Sequence, residues 1–177
     1  RAFLPGQIMD TLWALAARQG QVTDPGNEEA PGKILHEVRL TRRPWLGEGT
    51  AAGVRPYYGT VDATPLWVIL YGTAMRWGAS RDALTGLLPA ARAAMDWMRG
   101  PGDPDGDGLI EYASTGTRSL SNQSWKDSEN AVQFADGRLA HGPIAMVEVQ
   151  GYAYAAWRAR AALVERLQRG ALDLAAQ

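Results

Sequence analysis

Thr64-Pro65-Leu66-Trp67-Val68-Ile69-Leu70-Tyr71-Gly72-Thr73-Ala74-Met75-Arg76-Trp77-Gly78 reads as one helix with both ends marked. A threonine ahead of a proline predicts an N-cap followed by the first helical position, where the missing proline N–H has no intrahelical partner to lose. Gly78 supplies the residue that closes the helix. Ser80 then caps a second one, with Leu84, Leu87, Leu88, Ala91, Met95 and Met98 at helical spacing up to Gly100, and Pro89 is expected to bend or restart it. Upstream, Ile8, Leu12, Leu15 and Ala16 predict a helix after Pro5-Gly6 that ends at Gly20. Downstream, Pro143 is expected to open a last helix carrying Ile144, Val147, Gly151, Tyr154, Ala155 and Ala162, with a break near Gly170. Little is left for strands: residues 33–40 are of uncertain type and Leu109 to Tyr112 reads as a short extended piece. Strand and helix do not alternate, so no parallel sheet is expected. The expected class is all-α, with long loops at 21–31, 41–60, 101–108 and 115–138, the last with a helical turn after Asp127. Loops of that length tend to carry sites.

Composition narrows the function classes. The 177 residues suffice for one domain with a core, and a net charge of -1 gives no basic field to recruit nucleic acid or an anionic membrane. Cysteine is absent, which removes disulfide scaffolds, thiolate metal sites and cysteine nucleophiles and fits a reducing, cytoplasmic compartment. No run of about 18 apolar residues is present, so no membrane span is expected. The start at Arg1, without a signal peptide, is expected of a processed chain or of a piece of a longer protein. The 7 Trp against 2 Phe stand out, because indole combines an apolar face with a polar edge and suits sugar rings as well as cores.

Several stretches carry candidate chemistry. In Asn122-Gln123-Ser124-Trp125-Lys126-Asp127-Ser128 a carboxylate stands beside an indole in a polar loop. Partial burial against Trp would raise the Asp127 pKa and make it a general acid; the competing reading is a loop Asp capping the turn that follows. Asp62, after Tyr57 and Tyr58, either binds a pair of sugar hydroxyls or caps the helix beside Thr64. His36-Glu37 lines a pocket or forms a surface ion pair. Glu148 and Gln150 lie two apart in an apolar helix start, hence on different faces, and need partners if buried. Glu148 alternatively stabilises the positive end of that helix. Asp103, Asp105 and Asp107, with Gly108 sixth, repeat the first half of a Ca²⁺ loop. The twelfth position is Ser114 rather than a bidentate Glu, so a tight acidic turn without metal competes with the Ca²⁺ reading, and no other cofactor is indicated. No P-loop, dinucleotide fingerprint, nucleophile elbow or His-rich metal spacing appears.

Five stretches taken in order resemble a known family: Pro31-Gly32-Lys33-Ile34-Leu35-His36-Glu37, Tyr58-Gly59-Thr60-Val61-Asp62-Ala63-Thr64-Pro65-Leu66, Asp105-Gly106-Asp107-Gly108-Leu109-Ile110-Glu111-Tyr112, Asn122 to Ser128, and Val147-Glu148-Val149-Gln150-Gly151-Tyr152. They look like bacterial glycogen-debranching, amylo-α-1,6-glucosidase-like glycoside hydrolases. The Trp125 to Ser128 region is more distantly similar to the general-acid segment of trehalases and processing α-glucosidases. The resemblance implies an (α/α)6 barrel, the six-hairpin glycosidase toroid, of which residues 1–177 would form about half as a single incomplete catalytic-domain segment. It implies inversion by a carboxyl pair, one group protonating the glycosidic oxygen and one activating water. Asp127 would be the acid, and Glu37, Tyr58, Asp62, Trp125, Lys126, Glu148 and Gln150 would line the sugar subsite. The general base would lie outside this chain, so the chain alone is expected to be inactive. The implied partners are an α-glucan or oligosaccharide, and the remainder of the barrel or a second copy covering the open helix flanks. A non-catalytic glucan-binding or scaffold protein on a half barrel is the alternative. Ser124 stands where these relatives carry glycine.

Overall fold

Trp67 and Tyr71 lie one turn apart on the quoted helix and stack at 5.6 Å between ring centroids. Their polar edges reach different elements: the Trp67 indole donates to the Leu12 carbonyl at 3.2 Å, and the Tyr71 hydroxyl donates to the Leu84 carbonyl. Burial pushes the Tyr71 hydroxyl up to about 12. Around this pair the computed structural model, which describes residues 5–39, 55–114, 119–126 and 128–175, is mostly helical. In order it contains α1 (Pro5–Ala16), β1 (Glu37–Arg39), β2 (Arg55–Tyr57), α2 (Ala63–Arg76), α3 (Arg81–Gly86), α4 (Leu88–Arg99) and α5 (Val147–Ala175). The two strands form one antiparallel ribbon in the register Glu37 with Tyr57, Val38 with Pro56 and Arg39 with Arg55. Among the described residues no helix is long and apolar enough to cross a membrane.

The helix boundaries differ from the sequence expectation wherever a capping or loop residue finds a distant partner. α2 starts at Ala63 rather than at Pro65, with Asp62 at the N-cap making no side-chain cap bond. Thr64 is fully buried inside the first turn, and its hydroxyl accepts from the Ile34 N–H at 3.0 Å. α1 stops at Ala16, short of Gly20. Gln19 is drawn away to donate to the Gly32 carbonyl at 2.8 Å and the Ala90 carbonyl at 3.0 Å. Residue 144, expected in the last helix, pairs instead with Tyr112 in an isolated bridge, and α5 begins at Val147. That helix then runs through Gly170 without the expected break. Ser80 caps as read, accepting from the Ala83 N–H at 3.3 Å, and Pro89 sits in the first turn of α4 after a restart at Leu87. After residue 127 the chain makes only a turn, closed by the Ala131 N–H on the Ser128 carbonyl at 3.0 Å.

α2 is the central helix. One face packs on α5 so closely that a Cβ at Gly72 would stand 2.6 Å from the Ala159 methyl. α5 buries Val149, Ala153, Ala156, Ala159 and Leu163, a run at helical spacing. α4 joins α5 through Arg99, whose guanidinium lies 4.4 Å from the Trp157 ring centre. The N-terminal ends of α2 and α5 face the same set of loops. There the Val61 N–H donates to the Gln123 carbonyl at 2.7 Å, the Leu120 N–H to the Tyr57 hydroxyl at 2.9 Å, and the Ile110 N–H to the Gln150 amide at 2.9 Å.

Candidate functional site

The segment 119–126 is half anchor and half display. Asn122, Gln123 and Ser124 are buried, whereas Trp125 is 62% exposed and Lys126 is exposed. Asn122 is the anchor: its carbonyl oxygen accepts from the Tyr112 hydroxyl at 3.1 Å and its amide nitrogen donates to the Ser128 carbonyl. Trp125 is then held by its edge, because its indole N–H donates to a Glu148 carboxylate oxygen at 2.6 Å. Glu148 stands in the first turn of α5, where the unsatisfied N–H groups favour a negative charge. A hydrogen bond to a charged acceptor is stronger than a neutral one. The Lys126 ammonium lies 5.0 Å from the indole centre, within cation–π range. The result is an exposed indole fixed in orientation, with the Glu148 carboxylate at its edge and the Lys126 ammonium over one ring face.

Asp127 lies outside the described residues. Of the other residues read as sugar-lining, Trp125, Lys126 and Glu148 come together directly. Asp62 follows Val61, whose N–H bonds the Gln123 carbonyl, and its carboxylate accepts from the Thr60 hydroxyl. Glu37 is exposed on β1, opposite the buried Tyr57. Tyr58 is buried and its hydroxyl donates to the Arg18 carbonyl at 2.7 Å; burial, and secondarily the Glu29 charge, hold its pKa above the usual phenol value. Gln150 brackets Ile110, accepting from its N–H at 2.9 Å and donating to its carbonyl at 2.7 Å, with a further bond to the Met146 carbonyl at 3.1 Å. The polar atoms of Tyr58 and Gln150 therefore tie loops to the framework.

Beside the anchor runs a polar groove of about 450 Å³, lined by Ser114, Ser119, Ser121, Asn122, Glu129 and His141. Hydroxyl and carboxylate groups in such number suit a ligand rich in hydroxyls. Two residues of the quoted stretches were not singled out by the sequence reading: Lys33 and Gln123, both buried. Burial brings the Lys33 amine down to about 8, with the Glu28 charge opposing.

The acidic turn has its own geometry. One carboxylate oxygen from each of Asp103, Asp105 and Asp107 lies within 4.8 Å of the others. Gly108 N–H donates to Asp103 at 3.2 Å, Asp107 N–H to Asp105 at 3.2 Å, and Leu109 N–H to Asp107 at 2.8 Å. Desolvation raises the Glu111 carboxyl pKa, and the three aspartates raise it further. The donor set is all oxygen, as a hard cation such as Ca²⁺ prefers, and these N–H bonds equally close a metal-free turn.

No family model and no curated protein matches the chain.

Proposed function

We propose that this chain forms part of an inverting glycoside hydrolase acting on α-glucosidic bonds, of the glycogen-debranching, amylo-α-1,6-glucosidase-like kind, with Asp127 as general acid and the general base outside residues 1–177. The observation that carries this reading is the exposed Trp125 face, held edge-on by Glu148 where the start of α2, the 119–126 segment and the first turn of α5 converge. A sugar ring lays its C–H face on such an indole, and the flanking Glu148 and Lys126 offer hydrogen-bonding groups of opposite sign to its hydroxyls. Inversion needs two carboxyl groups flanking the scissile bond with room for a water.

The architecture that goes with this reading is a partial (α/α)6 toroid, a single incomplete domain of about half the barrel. Support comes from apolar side chains turned away from the core: Leu66 on α2, Trp77 at its C-cap, and Val147 and Tyr154 on α5 are exposed. The rest of the barrel, or a second copy, would cover them. A cytoplasmic setting is part of the same proposal. The second reading, a glucan-binding or scaffold protein without hydrolysis, uses the same Trp125 face held by Glu148 and needs no general base.

Titration of the chain with isomaltose and maltotriose, followed by tryptophan fluorescence, tests the binding step. Saturable quenching that Trp125→Ala abolishes is expected, and its absence removes the saccharide reading. In protein that hydrolyses an α-glucoside, Asp127→Asn is expected to stop turnover and keep binding. Unchanged turnover removes the acid assignment, and binding without any turnover selects the second reading.

A further inference from the structure

A second cavity, of about 180 Å³, lies on the Gln123 side of the same segment and uses none of the groups at the Trp125 face. It is built by close approach. Gly32 adopts φ 84, and a Cβ there would stand 2.1 Å from the Ala93 carbonyl oxygen, so only glycine lets the chain turn this tightly against α4. The turn brings Lys33 inward over Trp97, its ammonium 5.6 Å from the ring centre. On the opposite wall the Gln123 backbone carbonyl accepts from the Val61 N–H at 2.7 Å, which holds the backbone where Gln123 lines the cavity. Gln123 is 2% exposed, and its amide Nε2 finds no acceptor among the described residues. Lys33 donates to the Glu28 carbonyl at 3.2 Å, which uses one of its three N–H groups.

We propose that this cavity binds one neutral, hexose-sized polyhydroxylated ring, with ligand oxygens accepting from the Gln123 amide and the Lys33 ammonium. Buried N–H groups of this kind call for an acceptor. Charge then selects among acceptors. Glu28, Glu29 and Glu111 line the cavity with Lys33, so an anion meets three carboxylates and a cation meets the ammonium. A hydroxyl escapes both penalties, since it accepts from Gln123 and Lys33 and donates to a carboxylate. Trp97, Val61 and Pro101 add apolar wall for a C–H face. An apolar cavity of roughly 150 Å³ accommodates a benzene ring, so about 180 Å³ takes at most one ring. The site is separate from the Trp125 face, and its test does not depend on that reading.

The experiment is a titration of the whole chain with D-glucose, followed by the NMR signals of the Lys33 side chain and assigned with Lys33→Met. A saturable shift is expected, with the Lys33 titration midpoint rising from about 8 because new acceptors favour the charged form. Saturation transfer from the Trp97 indole to glucose protons is expected in the unmodified protein, which keeps the proposal testable if a variant fails to fold. Gln123→Leu is expected to weaken the response at least tenfold, and Trp125→Ala to leave it unchanged. Acetate and inorganic phosphate serve as anionic probes. A Lys33 response to those and not to glucose overturns the neutral-ring assignment. No saturable response to any probe means that the cavity holds water only and overturns the site, and loss of the response in Trp125→Ala overturns its independence.

Discussion

Glu148 and Gln150 stand two residues apart at the start of α5 and face different partners, the first the Trp125 indole and the second both polar groups of Ile110. Their spacing in sequence already required different faces, but which face met a ligand region and which met a loop depends on residues 23 and 40 positions away, beyond the reach of local pattern. Gln150→Leu leaves the Ile110 N–H and carbonyl without their partner and is expected to destabilise the fold by about 1–3 kcal/mol in a urea titration. Full stability with lost saccharide binding would instead give Gln150 a ligand contact. Lys33 makes the second residue-scale prediction. Its folded-state pKa, about 8, lies below the ordinary lysine value of 10.5 that the unfolded chain retains. Between those two values the unfolded chain holds the proton and the folded chain has released it, so stability rises with pH across that window and is flat below it. The melting temperature of the wild-type protein relative to Lys33→Met is expected to climb from about pH 8 to pH 10.5, and a parallel pair of curves would show an amine that is not desolvated.

At the scale of elements, the helices were legible because their apolar spacing and caps are local signals. Gly78, with φ 88, and Ser80 end one helix and begin the next as their chemistry predicts. The short ribbon was not legible, since strands of three residues carry too few alternations to read. Thr64 shows the same limit from another side: threonine before proline spells an N-cap, yet the hydroxyl is taken by Ile34, thirty residues earlier. The contact of α2 with α5 rests on a pair that sequence does not announce, Gly72 against Ala159. Gly72→Ala adds a methyl 2.6 Å from the Ala159 methyl, so the helices must separate. Overpacking of this kind costs about 1–3 kcal/mol, partly offset by the roughly 1 kcal/mol that alanine gains over glycine in a helix. Ala159→Gly in the same chain exchanges the two side chains and is expected to restore most of the loss. A double-mutant cycle measures the coupling, and additive effects would mean that the two positions do not touch.

For the whole molecule, the sequence indicated helices around one core and a cluster of chemistry-bearing loops, and the loops do gather at the N-terminal ends of α2 and α5. What composition and periodicity do not reveal is which apolar residues stay outside. Val147 is 82% exposed and Tyr154 is 64% exposed, on the side of α5 away from Val149, Ala153 and Ala156. Both count as apolar positions in a helical pattern, so a periodicity argument assigns them to a core that the chain does not build around them. An exposed residue contributes little to the stability of its own fold, and substitutions at such positions usually stay within about 0.5 kcal/mol. Val147→Lys with Tyr154→Glu is therefore expected to leave the melting temperature of the chain nearly unchanged. The same pair removes two exposed apolar groups of the kind that drive association. Sedimentation velocity over a concentration series is expected to show association in the wild-type chain and less of it in the double variant. A large drop in melting temperature would show instead that this face is packed within the chain, and the proposal that further helices or a second copy complete the toroid would lose its support.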